Sequence, residues 1–465
     1  MLYSPGASKF RFILLGDAGV TTAIVVGGGI GGIISALVLR RNFDKVLLVE
    51  RAPRLGGLLQ TSRLQDGLAF DFGTHFAATT GIDDLDGLLF DFVDPAGWYE
   101  FDYLKAGNYF GGALNEQGAF IDARCLPRDT YLQGLEQLLL AMPGSDEPAN
   151  LQQQLVDNYG AGFAEQVFAP VLHKLFGVGP EALAPNAHVL FGMKRLMLLS
   201  ADASRELKRS ALYDERIAFH SPTEGVNSAR VFYPRSGGIG RWIDGLTDKL
   251  KAAGVEILTG RFVQGIDHAN GRVSGVTLDD GRHSDCDRLV WTVPSFLLAK
   301  AAGIEAPMSP PQLRHTSLFH FIFDRPFSTD LHYLYVYDPE HSVFRVTLYP
   351  NVAGEQHDGS SGFHCTAEIL SDGSEPMDVL AEHARRDLVD MGLVAAEAVC
   401  RYVEHEALPA GFPVLSSAFV AASREQAGFL SGQFDNVHLL GKSSGAAFFM
   451  NDVLREAYDT LSGVA

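Results

Sequence analysis

Three patterns of apolar and polar positions run along the chain. The first is a short, unbroken apolar run, Ala23-Ile24-Val25-Val26 and again Val46-Leu47-Leu48-Val49. Runs of this kind predict strands covered on both faces, as in a parallel sheet flanked by helices. The second pattern is helical spacing. Ile33, Ile34, Ala36, Leu37 and Leu39 mark a helix between those two strands. Leu132, Leu135, Leu138 and Leu139, then Phe163, Val167, Phe168 and Val171, predict a mainly helical stretch over 129–200. Met377 to Met391 predicts another helix, and Leu454, Ala457, Tyr458 and Leu461 a last one. The third pattern is strand-length segments, Leu318 to Phe323, His332 to Tyr337, Val343 to Tyr349, Phe363 to Leu370 and Glu397 to His405. These predict a sheet with helices stacked on one side. Val255 to Leu258, Val263, a hairpin over Val273 to Arg282, and Leu289 to Pro294 make a further block. No internal repeat or low-complexity tract is present.

The break between the first two apolar runs is Gly27-Gly28-Gly29-Ile30-Gly31-Gly32, and the second run ends on Glu50. Strand, glycine turn, helix, strand, acid is the layout of a dinucleotide-binding βαβ unit. Gly27 permits the tight turn. Gly29 lets a pyrophosphate approach the backbone, and Gly32 lets the helix pack closely on the strand. Ile30 and Gly31 open the helix, whose free N–H groups face the phosphates. Glu50 can accept hydrogen bonds from ribose hydroxyls and would repel a 2′-phosphate, which disfavours NADP. The chain then reads Arg51-Ala52-Pro53-Arg54-Leu55-Gly56-Gly57-Leu58. A simple NAD site has no need of this second glycine pair.

Together these residues resemble the extended FAD fingerprint of the superfamily that holds flavin amine oxidases, protoporphyrinogen oxidases, phytoene desaturases and UDP-galactopyranose mutases. Phe70-Asp71-Phe72-Gly73-Thr74-His75 is similar to that family's segment approaching the flavin ring. Phe232-Tyr233-Pro234-Arg235-Ser236-Gly237-Gly238-Ile239-Gly240 is similar to its lead into a helix. Val437 to Lys442 and Asn451-Asp452-Val453 resemble its last strand and final helix. The resemblance implies an α/β fold in which a Rossmann-type FAD domain is assembled from 23–105, 226–300 and 420–465. An α+β substrate domain, with a mostly antiparallel sheet and a helical subdomain, takes 106–225 and 301–419. It also implies that Gly73, Thr74, His75, Gly441, Lys442 and the backbone around Asn451, Asp452 and Val453 meet the flavin, and that the Val263 backbone meets the adenine. Asn451 is expected to cap the final helix, aiming its N-terminus at the flavin pyrimidine ring. His75 is expected beside the flavin as a hydrogen-bonding group or an acid or base near neutral pH, against the alternative of a histidine that only packs. Phe448 and Phe449 fall on the substrate side, where aromatic walls would suit a small substrate; core packing is expected for one of the two.

The activity implied is oxidation or desaturation of a small organic substrate by hydride transfer to flavin N5, with oxygen or another acceptor closing the cycle. A sugar-nucleotide mutase is the alternative, and a non-catalytic flavin-binding protein a third. A mutase must hold a diphosphate, yet Lys442 stands where an arginine is expected and 442–449 hold no tyrosine. No second GxGxxG follows a strand, no nucleophile elbow is present, and Lys174, Lys194 and Lys300 are candidates for a catalytic lysine only by elimination.

Composition narrows the picture further. At 465 residues the chain can form more than one core, and 46% hydrophobic with 20% charged residues is ordinary for a globular protein. A net charge of −19 excludes nucleic acid as a natural partner and disfavours an anionic membrane surface. Cys125, Cys286, Cys365 and Cys400 are scattered, without metal-ligand spacing or a place in a flavin-linking motif. Reduced thiols, a cytoplasmic setting, no metal and noncovalent FAD are the expectation. No apolar stretch reaches transmembrane length. Residues 1–22 are expected as an extension, either disordered or forming an extra strand or packing arm.

Overall fold

The computed structural model describes residues 20–464, except 65–66, 143, 145–146, 222, 225–228, 309, 354–361, 409–410, 446 and 448. Most of the expected N-terminal extension, 1–19, therefore lies outside the described residues, and the first strand begins at Thr22.

Five parallel strands form the first sheet. Their spatial order is Glu256–Thr259, Lys45–Glu50, Thr22–Val26, Arg288–Trp291 and Val437–Leu439. Every residue of Thr22–Val26 is buried, because both faces of the central strand are covered. On one face lie the first helix, Ile30–Leu39, the helix Gly240–Ala252 and the final helix, Met450–Leu461. On the other lies the antiparallel set Val263–Ala269, Arg272–Leu278 and His283–Asp285. The first helix is buried on nearly every side, so it lacks the polar stripe of a surface helix. The final helix shows the ordinary amphipathic pattern, with Leu454, Ala457 and Leu461 inward.

The second sheet has eight strands. Cys400–Ala407, Leu313–Phe323, Phe363–Ser371, Val343–Leu348, Tyr333–Val336, Ala106–Phe110 and Ala113–Asn115 follow one another, and Phe412–Pro413 pairs the start of Leu313–Phe323. All neighbours are antiparallel except Tyr333–Val336 with Ala106–Phe110. Strict alternation splits its faces. Phe319, Phe321, Phe323, Cys365, Ala367, Ile369, Val346 and Leu348 pack under the helix Met377–Asp390. Their neighbours His320, Thr366, Glu368, Arg345 and Thr347 point the other way, and Ile322 and Tyr349 on that face join the core of the first sheet.

A helical unit covers the remaining part of that face. Arg128–Leu140, Leu151–Phe163, a π-helical turn at Ala164–Phe168 and Ala169–Phe176 enclose Phe163, Phe168, Leu172 and Phe176. Helix ends at Gly177, a left-handed cap with φ +73°, earlier than the predicted stretch to 200. Beyond it come 3₁₀ turns at Pro180–Ala182 and Ala187–Phe191 and a short strand, Leu196–Met197. Lys174 is half-buried here, and its ammonium donates to the carbonyls of Val336, Asp338 and Val343 at 2.7–2.9 Å. It is a structural clamp, unavailable as a catalytic lysine; Lys194 is paired with Glu215 at the surface, and Lys300 is exposed. The four cysteines are free thiols, with Cys286 and Cys365 buried and Cys125 exposed. Among the described residues no helix is long and apolar enough to cross a membrane.

Candidate active site

The glycine turn after the first strand shows why each position is glycine. Gly27 has φ +106°, and a Cβ there would strike Thr292 Oγ1 at 2.3 Å. A Cβ on Gly32 would lie 1.8 Å from the Gly27 carbonyl oxygen, so helix and strand touch backbone to backbone. On Gly31 it would meet Val453 Cγ1 at 2.9 Å, which sets the first turn of the final helix against the first turn of the first helix. Gly29 differs. Its φ of −70° suits any residue, and a Cβ there would meet no atom of the described residues within 4 Å.

The second glycine pair closes on this turn. Gly56 donates to the Gly28 carbonyl at 2.7 Å, and Gly29 and Gly56 form an isolated parallel bridge. A Cβ on Gly57 would lie 3.5 Å from Gly29 Cα. Behind the pair a cleft of about 550 Å³ is lined by Leu55, Leu59, Thr61, Ile243, Thr247 and Ile257. Leu58 and Arg51 are exposed. Glu50 accepts from the N–H groups of Gly28 and Ala52, both at 2.6 Å, and thereby ties the end of the second strand to both loops. Arg261 donates its N–H to the Glu50 carbonyl at 3.0 Å, so the backbone leading into the buried Val263 runs beside the acid.

The final helix supplies the opposite wall. Its N-cap is Phe449, in extended conformation and without a side-chain cap; Asn451, expected as the cap, is the second residue of the helix. The reason is visible in its contacts. Asn451 Nδ2 donates to the Thr79 carbonyl at 3.2 Å, and its buried Oδ1 has no hydrogen-bond partner among the described residues. Asp452 is exposed in the first turn, and Phe449 is exposed beside it. Phe448 lies outside the described residues. Gly441, with φ +59°, donates to Glu456 Oε2 at 2.6 Å, and Lys442 is exposed in the following 3₁₀ turn. Gly27, Gly29, Ile30, Gly31, Gly32, Gly56, Gly57, Gly441 and Val453 thus meet at two helix N-termini, neither capped by a side chain. Such termini present N–H groups and partial positive charge.

The Gly73–His75 turn joins this region to the second sheet. Just before it, Asp71 is buried and accepts from Thr61 Oγ1 and Tyr233 OH, both at 2.6 Å, and from the Ile239 N–H at 2.9 Å. Burial raises its carboxyl to about 6, against those three donors. Thr74 donates its N–H to Glu368 Oε1 at 3.2 Å, and its hydroxyl bonds Thr347. Glu368 is held by Arg345 through two bonds of 2.6 and 2.7 Å. Burial, and secondarily the Arg345 charge, lowers the His75 imidazole to about 4. That shift favours the neutral imidazole at pH 7, with one ring nitrogen able to donate and the other to accept.

Arg345, Thr347 and Glu368 escaped sequence reasoning, and Asp71 was noted only within its segment. Nothing local marks the first three, which the register Arg345↔Glu368 and Thr347↔Thr366 brings to the turn.

The family profile for flavin containing amine oxidoreductases matches residues 30–398. The coproporphyrinogen III oxidase of Propionibacterium freudenreichii subsp. freudenreichii is 26% identical over 331 residues, 64% of this chain and 60% of that protein. The 1-hydroxycarotenoid 3,4-desaturase of Flavobacterium sp. (strain P99-3) is 25% identical over 299 residues, 59% and 57%. The chain spans somewhat under two thirds of the length of these curated relatives. Among solved structures, reduced UDP-galactopyranose mutase superimposes with a TM-score of 0.74 at 15% identity, covering 96% of this chain and 93% of that one, which is a likeness of fold.

Proposed function

The chain belongs to the flavin containing amine oxidoreductase family, and we propose that it binds FAD noncovalently and oxidises or desaturates a small organic substrate. The observation that carries this is the glycine turn at Gly29. It is the one position of the turn whose missing side chain is explained neither by backbone strain nor by a protein neighbour, and it sits at an uncapped helix N-terminus. That is what close approach of a pyrophosphate requires.

The residues around it fit the group. Gly29, Ile30 and Gly31 would hold the pyrophosphate with Gly56 and Gly57 alongside. Glu50 keeps free lone pairs on both oxygens for ribose hydroxyls, and the Val263 backbone would face the adenine. Asn451 Oδ1, buried and unpaired among the described residues, has an acceptor to offer a ring N–H. When bound, FAD supplies a two-electron acceptor. The uncapped N-terminus of Met450–Leu461 would stabilise negative charge that develops on it. His75, neutral, would hydrogen-bond at the ring edge, and Phe449 would stand at the substrate side.

The test is an absorbance spectrum of the purified protein, then anaerobic mixing with porphyrinogens, carotenoids, amines and UDP-sugars. Bleaching of the oxidised flavin band by one class is expected and names the substrate. Turnover of a UDP-sugar by chemically reduced protein alone would replace this reading with a mutase. Bound FAD that no class reduces, with no such turnover, would favour a non-catalytic flavin protein.

A further inference from the structure

The Arg345–Glu368 pair is more than a salt bridge between strands. Glu368 is almost fully buried and Arg345 is four-fifths buried, and the two stand directly opposite each other on neighbouring strands. Burying such a pair roughly breaks even in stability, because desolvation offsets the attraction. Its worth lies in the geometry it imposes. Nor does it serve as a receptor for an anionic substrate, since the guanidinium is already neutralised by two bonds to one carboxylate.

What the pair does touch is the Gly73–His75 turn. Glu368 Oε1 accepts from Thr74 N at 3.2 Å and from Thr74 Oγ1 at 3.3 Å, and Thr74 Oγ1 also meets Thr347 Oγ1. Gly73 has φ +107°, and a Cβ there would lie 3.1 Å from Glu368 Oε2 and 3.2 Å from Arg345 Nη2. The turn thus lies closely on the face of the pair, in a left-handed conformation that favours glycine at Gly73.

We propose that Arg345 and Glu368 are positioning residues for the flavin: the pair fixes the Gly73–Thr74–His75 turn, from the substrate sheet, against the place where the cofactor's ring is held. This rests on the FAD reading above. It makes the sheet, and not only the glycine-rich domain, a determinant of how the flavin sits.

The experiment uses the full chain reconstituted with FAD. The double variant Arg345→Met/Glu368→Leu replaces the pair with apolar side chains of similar size, and Glu368→Gln keeps an acceptor for Thr74 but removes the charge. Thr347→Val removes one hydroxyl contact to the turn and serves if the double variant fails to fold. The surface pair Arg325–Glu397, with both residues changed to Gln, is the control. Expected in the double variant are roughly tenfold weaker FAD binding and a shift in the visible bands or fluorescence of the bound flavin. A smaller change of the same kind is expected in Thr347→Val, and none in the control. A folded variant with the wild-type dissociation constant and spectrum overturns the proposal while leaving FAD binding intact. A wild-type chain that takes up no FAD overturns both.

Discussion

Gly29→Val separates fold from cofactor more cleanly than any other change in the glycine turn. The φ of −70° and ψ of 177° are ordinary for valine, and the new side chain starts where no atom of the described residues lies within 4 Å. Valine is a poorer helix N-cap than glycine, which costs about 1 kcal/mol. Restricting the unfolded chain returns about 0.4–1 kcal/mol. The apo protein should therefore melt within a few degrees of wild type. Binding is another matter. The substitution blocks the approach of a pyrophosphate to the helix N-terminus and forfeits two charge-assisted hydrogen bonds, each about 1.5–3 kcal/mol. A loss of about 3–6 kcal/mol is a 100- to 10,000-fold weaker dissociation constant. At FAD one hundred times the wild-type constant, ligand adds about 2.7 kcal/mol to wild-type stability and almost nothing to the variant. Thermal melts with and without FAD, beside a fluorescence titration, read both quantities. A folded Gly29→Val protein with the full FAD-dependent melting shift would refute the site.

Gly32→Ala should do the reverse: with its Cβ 1.8 Å from the Gly27 carbonyl oxygen, it should cost about 3 kcal/mol in denaturant midpoint before any ligand is added, and an unchanged midpoint would show that helix and strand are not in such contact. Acid should destabilise the chain between pH 6.5 and 4. Burial lowers His75, His188, His320 and His332 to about 4, so they take up protons in the unfolded state first, and their contribution is present above pH 6.5 and lost on the way down. Asp71, raised to about 6, opposes this, because its contribution fades as pH rises through that window. With four groups against one, stability read from the urea midpoint should fall as pH is lowered from 7 to 4.5, by at most about 4 kcal/mol per pH unit. His320→Gln should flatten the slope, and a midpoint that climbs on acidification would contradict the assignment.

The nucleotide-type βαβ was legible because its information is local. An apolar run of strand length, six residues dense in glycine and a second apolar run lie within thirty positions, and Thr22–Val26, Ile30–Leu39 and Lys45–Glu50 follow them closely. The helix Met377–Asp390 and the strand Phe363–Ser371 were likewise readable from period alone. What escaped is non-local. Thr74 and Glu368 are 294 positions apart, and nothing near either residue announces the other. Asn451 misled because a good capping residue was read without its partner: its side chain turns to Thr79, and Phe449 takes the extended cap position instead. The lowered pKa of His75 was out of reach for the same reason, since burial and the Arg345 charge come from distant strands.

The first parallel sheet has a consequence for how the chain is made. Its central strand, Thr22–Val26, leaves the ribosome early, but one flank is Arg288–Trp291 and the edge beyond that is Val437–Leu439. The helix that covers the first helix, Met450–Leu461, comes later still. Roughly 400 residues of synthesis separate its first strand from its last, on the order of 20–80 s at about 5–20 residues per second. Until then Thr22–Val26 and Lys45–Glu50 can pair with each other, but the sheet lacks its last strand and the final helix that covers the first one. An interrupted translation product therefore carries the glycine fingerprint yet lacks one wall of the pocket, and cofactor capture becomes a checkpoint for a finished polypeptide.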